Sequence, residues 1–416
     1  MRSKAQLPAA PAPAAAGWRA WLACIAGGLA VLAGLAWWLD GDGPTAMQAA
    51  TAKGAAATAA PTPTGWPALG QARSPAMSPE ERATQLAVWT ERLERAKHTL
   101  ASYRDGTRYP FESRPISEHA DQTYPNRPVA EDSALRTEDG QTDPTINVKT
   151  AQSRVFMAAG ESVVFTIAAS DRSGQPVAFT VTQARALGLP SPGRGGQLPQ
   201  QAVVFGDAGT QGDARAGDGV QSALLAPAQG PFAQYDGAIR VEVKLKLAGR
   251  EGLHGFDVYY SPEQPAVWAG PVREVVERGS LYLYMPVQVS TPGRYLVSGR
   301  LDDASGKPLA LLSFNDVLPA GLQQIKLTVF GKLLRDLKPS FPLTLRDVDG
   351  YLLKENTHPD RALLPRLMGT VHVSKAYSLN GFSADEWTSE ERDRYLAEYG
   401  RDVDLAQGQV DQLTGP

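Results

Sequence analysis

The sequence predicts a mainly β protein, in which a single N-terminal transmembrane helix, a linker and an amphipathic helix lead into tandem immunoglobulin-like β-sandwiches. Three observations predict it. One uncharged apolar run near the N-terminus is long enough to span a bilayer. Glycine (40) and proline (32) are abundant among the 416 residues, which favours turn-rich β structure and linkers over helices. Beyond residue 146, short alternating or β-branched runs recur between glycine, proline and Asp/Asn clusters.

Residues 1–19 read as a cytoplasmic N-terminus and 20–39 as the membrane helix. The run AWLACIAGGLAVLAGLAWWL, from Ala20 to Leu39, carries no charge. At about 1.5 Å per residue it matches a hydrocarbon core of about 30 Å. Trp18, Trp21, Trp37 and Trp38 stand at its ends, where indole rings favour the headgroup region. Arg2, Lys4 and Arg19 precede it and Asp40 and Asp42 follow, so the positive-inside rule exports everything after residue 40. A cleaved signal peptide has a shorter apolar core and an earlier small-residue site than Ala50-Thr51-Ala52. The expected topology is therefore single-pass, with the C-terminal body on the exported side. The only cysteine, Cys24, lies in this run, so the body has no disulfide and no thiolate metal site.

Residues 40–77 are alanine, proline, threonine and glycine with few large apolar side chains, the composition of a disordered linker. A helix is predicted over 78–105. Ser78 caps it, Pro79 occupies its first position and Glu81 completes a capping box. Leu86, Trp89, Leu93, Ala96 and Leu100 form one apolar stripe, and Glu91 with Arg95 adds an i,i+4 pair. Residues 106–145 read as an extended segment, because the prolines after Tyr109, Arg114, Tyr124 and Arg127 hold their predecessors out of the helical region. Such a segment is a surface connector or a recognition stretch for a partner.

The strands follow: Ser162–Ala168, Val177–Thr182, Ala202–Phe205, Ile239–Leu247, Phe256–Tyr260, Leu281–Val289, Tyr295–Leu301, Ile325–Phe330 and Leu343–Val348. Their short spacing without long intervening helices predicts one sandwich over 146–228 and a second over 229–380. A short helix and tail close the chain over 381–416, with Ser389 as cap and Tyr395 and Leu396 as apolar positions.

The stretch GDAGTQGDARAGDGVQS, residues 206–222, is the one candidate site. Asp207, Asp213 and Asp218 could offer carboxylates to a calcium ion, which takes six to eight oxygens. The competing reading is a stack of tight turns, with aspartates capping backbone N–H groups and glycines supplying positive φ. Phosphate binding lacks the lysine or helix start that it needs.

Asp207, Gly209, Gly212, Asp213, Ala216, Gly217, Asp218 and Gly219 follow the pattern Asp-Asp-Gly…Gly-Asp…Ala-Gly-Asp-Gly-x-Tyr. With PGRYLVSGRLDDASGKPLA and LPAGLQQIKLTVFGKLL downstream, residues 160–380 resemble the choice-of-anchor X domain family. Ala208 stands for the second aspartate, Gln221 for the tyrosine, and the anchor is N-terminal rather than C-terminal. The resemblance implies a bacterial envelope location and β architecture; with the anchor, the expected location is the bacterial inner membrane, single-pass, with the C-terminal body in the periplasm.

No Gly-x-Ser-x-Gly elbow, His-Glu-x-x-His pair or dinucleotide fingerprint occurs. His98, His119, His254, His358 and His372 are scattered, and Asp347 and Asp349 suggest a hairpin turn beside Gly350. A net charge of −3 with 20% charged residues offers no field for nucleic acid. The functional expectation is a non-enzymatic binding or assembly role with an envelope protein or glycan as partner. A hydrolase, or an accessory subunit of an envelope enzyme, is the competing reading.

Overall fold

A computed structural model describes residues 77–190, 197–247 and 249–415. The expected membrane helix and nearly all of the linker lie outside the described residues. Within them, no helix is long and apolar enough to cross a membrane.

The chain is mainly β. It enters through α1 (Pro79–Gly106), where Ser78 Oγ accepts from the Glu81 amide and the Ser78 amide donates to the Glu81 carboxylate. Strand β1 (Ser113–Pro115) and a 3-10 turn (Ile116–Gln122) come next.

Two sheets then enclose a first core. One has the order β2 (Val129–Arg136), β3 (Thr142–Gln152), β5 (Val163–Asp171) and β8 (Gln221–Leu225). The other orders β4 (Phe156–Met157), β10 (Arg250–Tyr260), β9 (Gly237–Leu247), β6 (Phe179–Gly188) and β7 (Gln200–Ala202). Alternation decides which side faces in. Val163, Phe165 and Ile167 of β5 are fully buried, and Ile239, Val241 and Val243 of β9 meet them in one cluster. Phe165 and Phe256 pack with ring centroids 4.7 Å apart.

A second pair of sheets encloses a second core. Its larger sheet orders β1, β15 (Pro308–Leu318), β14 (Gly293–Asp302), β17 (Thr344–Leu353) and β18 (Arg361–Leu363), with β19 (Leu367–Val373) also on β17. Opposite lie β11 (Ala266–Trp268) and β12 (Arg273–Glu277) on β13 (Ser280–Val289), which also pairs with β16 (Gly321–Val329). Leu281, Leu283, Met285 and Val287 face Tyr295, Val297 and Leu301 across this core. The buried Tyr295 hydroxyl donates to the Pro265 and Thr291 carbonyls, and burial pushes its pKa up to about 12. Helix α2 (Gly331–Leu337) closes one end, and α3 (Glu390–Thr414) returns against α1.

The expected division at 228/229 does not coincide with the sheets. β9 pairs with β6 over nine residue pairs, so IRVEVKLKL belongs to the first core, which runs from 129 to 260. The expected extended stretch at 106–145 contains the 3-10 turn, all of β2 and the start of β3. The second body is also discontinuous. Tyr109 is buried in its core, and β1 pairs with β15. The chain thus starts the second body, builds the first, and returns. Residues Val203–Phe205 leave the ladder after β7, and the C-terminal helix is 25 residues long rather than short.

Candidate functional site

The loop between β7 and β8 brings Asp207, Asp213 and Asp218 together, with one oxygen from each lying within 4.8 Å of the others. Those carboxylates are already engaged. Asp207 Oδ1 accepts from the amides of Gly217 (2.5 Å) and Asp218 (3.2 Å), and its Oδ2 accepts from Gly219 (2.8 Å). Asp213 accepts from Gly209 and Arg215, and Asp218 Oδ1 from Val220. Five of the six carboxylate oxygens therefore face backbone N–H groups of the same loop. This is the tight-turn arrangement, with Asp207 as its hub. Each carboxylate oxygen keeps a second lone-pair site, so the amide contacts fix the loop without exhausting the acceptor capacity a cation would use. Gly212 (φ +86°) presses the loop onto β5, where an added Cβ would come within 2.6 Å of Val164 Cγ2.

Asp207→Ala removes the acceptor of three amides, so the loop should open at a cost of about 1–2 kcal/mol. Faster proteolysis between 207 and 219 is the readout. Millimolar calcium that raised the wild-type melting midpoint, but not that of Asp207→Ala, would reassign the cluster to a cation.

A second constellation was not legible in the sequence. Arg300, 1% exposed, projects from β14 on the face opposite the core residue Leu301. Its Nε and Nη2 donate to the carbonyl and side chain of Gln122, and its Nη1 to the Asp347 carbonyl and to Asp349 Oδ2 at 2.6 Å. Beside it, Arg346 donates to Asp302, to Asp347 and to the Thr123 carbonyl. Two guanidinium groups thus strap the 3-10 turn and the Tyr-Pro segment across the outer face of the larger sheet. Tyr124 rests beside both Arg127 (5.0 Å) and Arg346 (5.5 Å). The expected hairpin at Asp347 and Asp349 is instead a bulge inside β17. Asp347 has φ +48°, held by Asn126, Gly369 and Arg346 on its carboxylate.

The histidines separate. His98 meets Ser102 at 3.4 Å on the exposed side of α1. His358 stands edge-on to Tyr259. His372 on β19 meets the nearly buried Glu274 of β12 at 3.2 Å, joining the edges of the two facing sheets. Glu274 also accepts from the Lys375 amide. His254 packs against Phe256, and burial depresses its pKa to about 4.

An unfolded histidine titrates near pH ~6.5, so between about pH 6.5 and 4 the unfolded chain binds the proton that native His254 refuses. Stability from this site is complete above that range and falls as pH drops through it, by up to about 3 kcal/mol. Melting between pH 7 and 4.5 should show the slope, and His254→Phe should flatten it.

The outer face of β13 carries a half-buried aromatic and basic patch. On β13, Tyr282 and Tyr284 point away from the core, with centroids 6.4 Å apart. Register places Arg273 and Lys326 on either side of Tyr284. Arg273 lies 4.5 Å from the Tyr284 ring, and Lys326 lies 5.3 Å from the Tyr282 ring. Gln324 and Gln288 extend the same face.

No family model matches the chain, and no curated protein matches it. Among solved structures, a DUF4785 family protein from Legionella pneumophila is similar at 14% identity and TM-score 0.36, over 55% of this chain. The chain spans 57% of that protein's length. Squid arrestin is similar at 10% identity and TM-score 0.18, over 58% of this chain and 96% of its own.

Proposed function

We propose that the protein is a single-pass inner-membrane protein whose paired immunoglobulin-like sandwiches stand in the periplasm and bind an envelope polymer without chemistry. The uncharged run Ala20–Leu39, its tryptophan ends and the cationic residues before it support the anchor and its orientation. The resemblance of residues 160–380 to choice-of-anchor X domains agrees with an envelope location.

The observation that carries binding over catalysis is the outward patch of Tyr282 and Tyr284, flanked by Arg273 and Lys326. The two rings, tilted 39° to each other and half-buried, offer hydroxyls and ring edges to a sugar, while the cations over them suit carboxylate or phosphate substituents. Such a face holds an extended anionic glycan and encloses no small substrate. The hydrolase reading has one observation in its favour, the hydrogen bond between His372 and Glu274. That pair joins the edges of two sheets, which is a packing role.

Co-sedimentation of the detergent-solubilised chain with isolated envelope polysaccharide tests the proposal. Tyr282→Ala with Tyr284→Ala should weaken binding roughly tenfold or more, about 1.4 kcal/mol. Binding that ignores both substitutions removes the glycan face. Turnover of envelope material that His372→Ala abolishes replaces the binding role with the enzyme. Protease protection of residues 77–415 in intact spheroplasts overturns the location.

A further inference from the structure

Helices α1 and α3 run antiparallel: Tyr103 near the end of one meets Tyr395 and Tyr399 near the start of the other, at 5.7 and 5.2 Å. They are tied to the body at their root, where Arg392 donates to Thr107 and Glu386 and the Trp387 amide donates to the Arg108 carbonyl. Beyond it, neither helix packs along a sheet. The pair is an arm about 40 Å long.

This arm has little core. Helices of this kind draw most of their stability from burying an amphipathic face, yet the only buried apolar side chains of the two are Leu93 and Ala406. One flank carries a groove of about 330 Å³ with Trp89, Ala96 and Thr99 on one wall and Leu405 on the other. Leu405 is 60% exposed. Arg92, stacked 4.7 Å over Trp89, and Asp402 face the same groove from opposite helices. Neither has an ion-pair partner among the described residues.

We propose that a second copy of this chain covers the groove, so that two arms form a four-helix bundle. The charges argue for a self-complementary partner. A two-fold interface presents the same patch twice, so a contact made one way is made again in reverse. With the axis perpendicular to the arm and close to Leu405, Arg92 of one copy faces Asp402 of the other, and the converse, while the two Leu405 side chains meet at the axis over the groove. Antiparallel helices completing one another's core is the ordinary architecture of such bundles. This inference is independent of the glycan face.

The test is the mass of the full chain in detergent across a concentration series. Wild type should be a dimer that dissociates on dilution. Arg92→Glu and Asp402→Arg should each weaken association roughly tenfold or more. Mixing the two variants should restore it, because the heterodimer recovers both opposite-charge contacts. Misfolding cannot produce that rescue. Leu405→Glu should also give monomer, with helix content by circular dichroism unchanged. A wild-type monomer at all concentrations, a dimer indifferent to all three substitutions, or variants that fail to recover on mixing would each overturn the proposal.

Discussion

Replacing Arg300 with methionine should lower the stability of the β body by about 3 kcal/mol or more. Arg300 carries the largest fully buried side chain among the described residues, and its guanidinium serves four acceptors: the Gln122 carbonyl, the Gln122 side chain, the Asp347 carbonyl and Asp349. Methionine fills much of the volume and satisfies none of them. Breaking one side of a buried ion pair costs about 3–5 kcal/mol. Asp349 is 35% exposed and keeps some hydration, which places the effect at the lower end of that range. Each carbonyl left dry adds to it. Lysine should rescue little, since one ammonium cannot reproduce the planar fork. Urea unfolding gives the energy, and limited proteolysis should show residues 116–127 released first, because they are what the arginine holds. Gln122→Ala, which removes a single acceptor, should cost only about 1 kcal/mol.

Gly331→Ala should be comparably severe for a different reason. A Cβ at 331 would lie 1.9 Å from the Gly279 carbonyl oxygen and 2.9 Å from the Ser383 nitrogen. Neither neighbour can give way cheaply. The Ser383 amide donates to that same Gly279 carbonyl, and the Gly331 amide donates to the buried Ser280 hydroxyl. Three chain segments therefore meet where only hydrogen fits, and overpacking of backbone against backbone costs about 3 kcal/mol or more. Gly400→Ala is the control. It sits in α3 with nothing within 4 Å of the added methyl, so it should stabilise by about 0.5–1 kcal/mol through helix propensity alone. Thermal melts of the two variants should move in opposite directions.

What was legible in the sequence was local. The capping box at Ser78 and Glu81 is visible because its partners are three residues apart, and both of its hydrogen bonds form. The alternation in Ile239–Leu247 marks a strand with one buried face, and every second side chain from Ile239 to Leu247 is buried. The aspartate loop was legible as turn chemistry, since aspartate and glycine act on amides near them in the chain. β15 was missed because its stretch LALL is a continuous apolar run without alternation, and β2 because most of its residues are exposed. Arg300 gave no signal: its partners lie 178 and 49 residues away.

By itself, then, the sequence determined where elements start and stop, which faces are apolar, and that the described body is mainly β. Only the tertiary structure decided that β9 joins β6, that Tyr109 and β1 belong to the second core, and that α1 packs on α3. Periodicity and capping are satisfied by near neighbours, so they are written into short windows. Which apolar face covers which, and which charge is buried against which carbonyl, is settled by competition among all the surfaces of the chain at once.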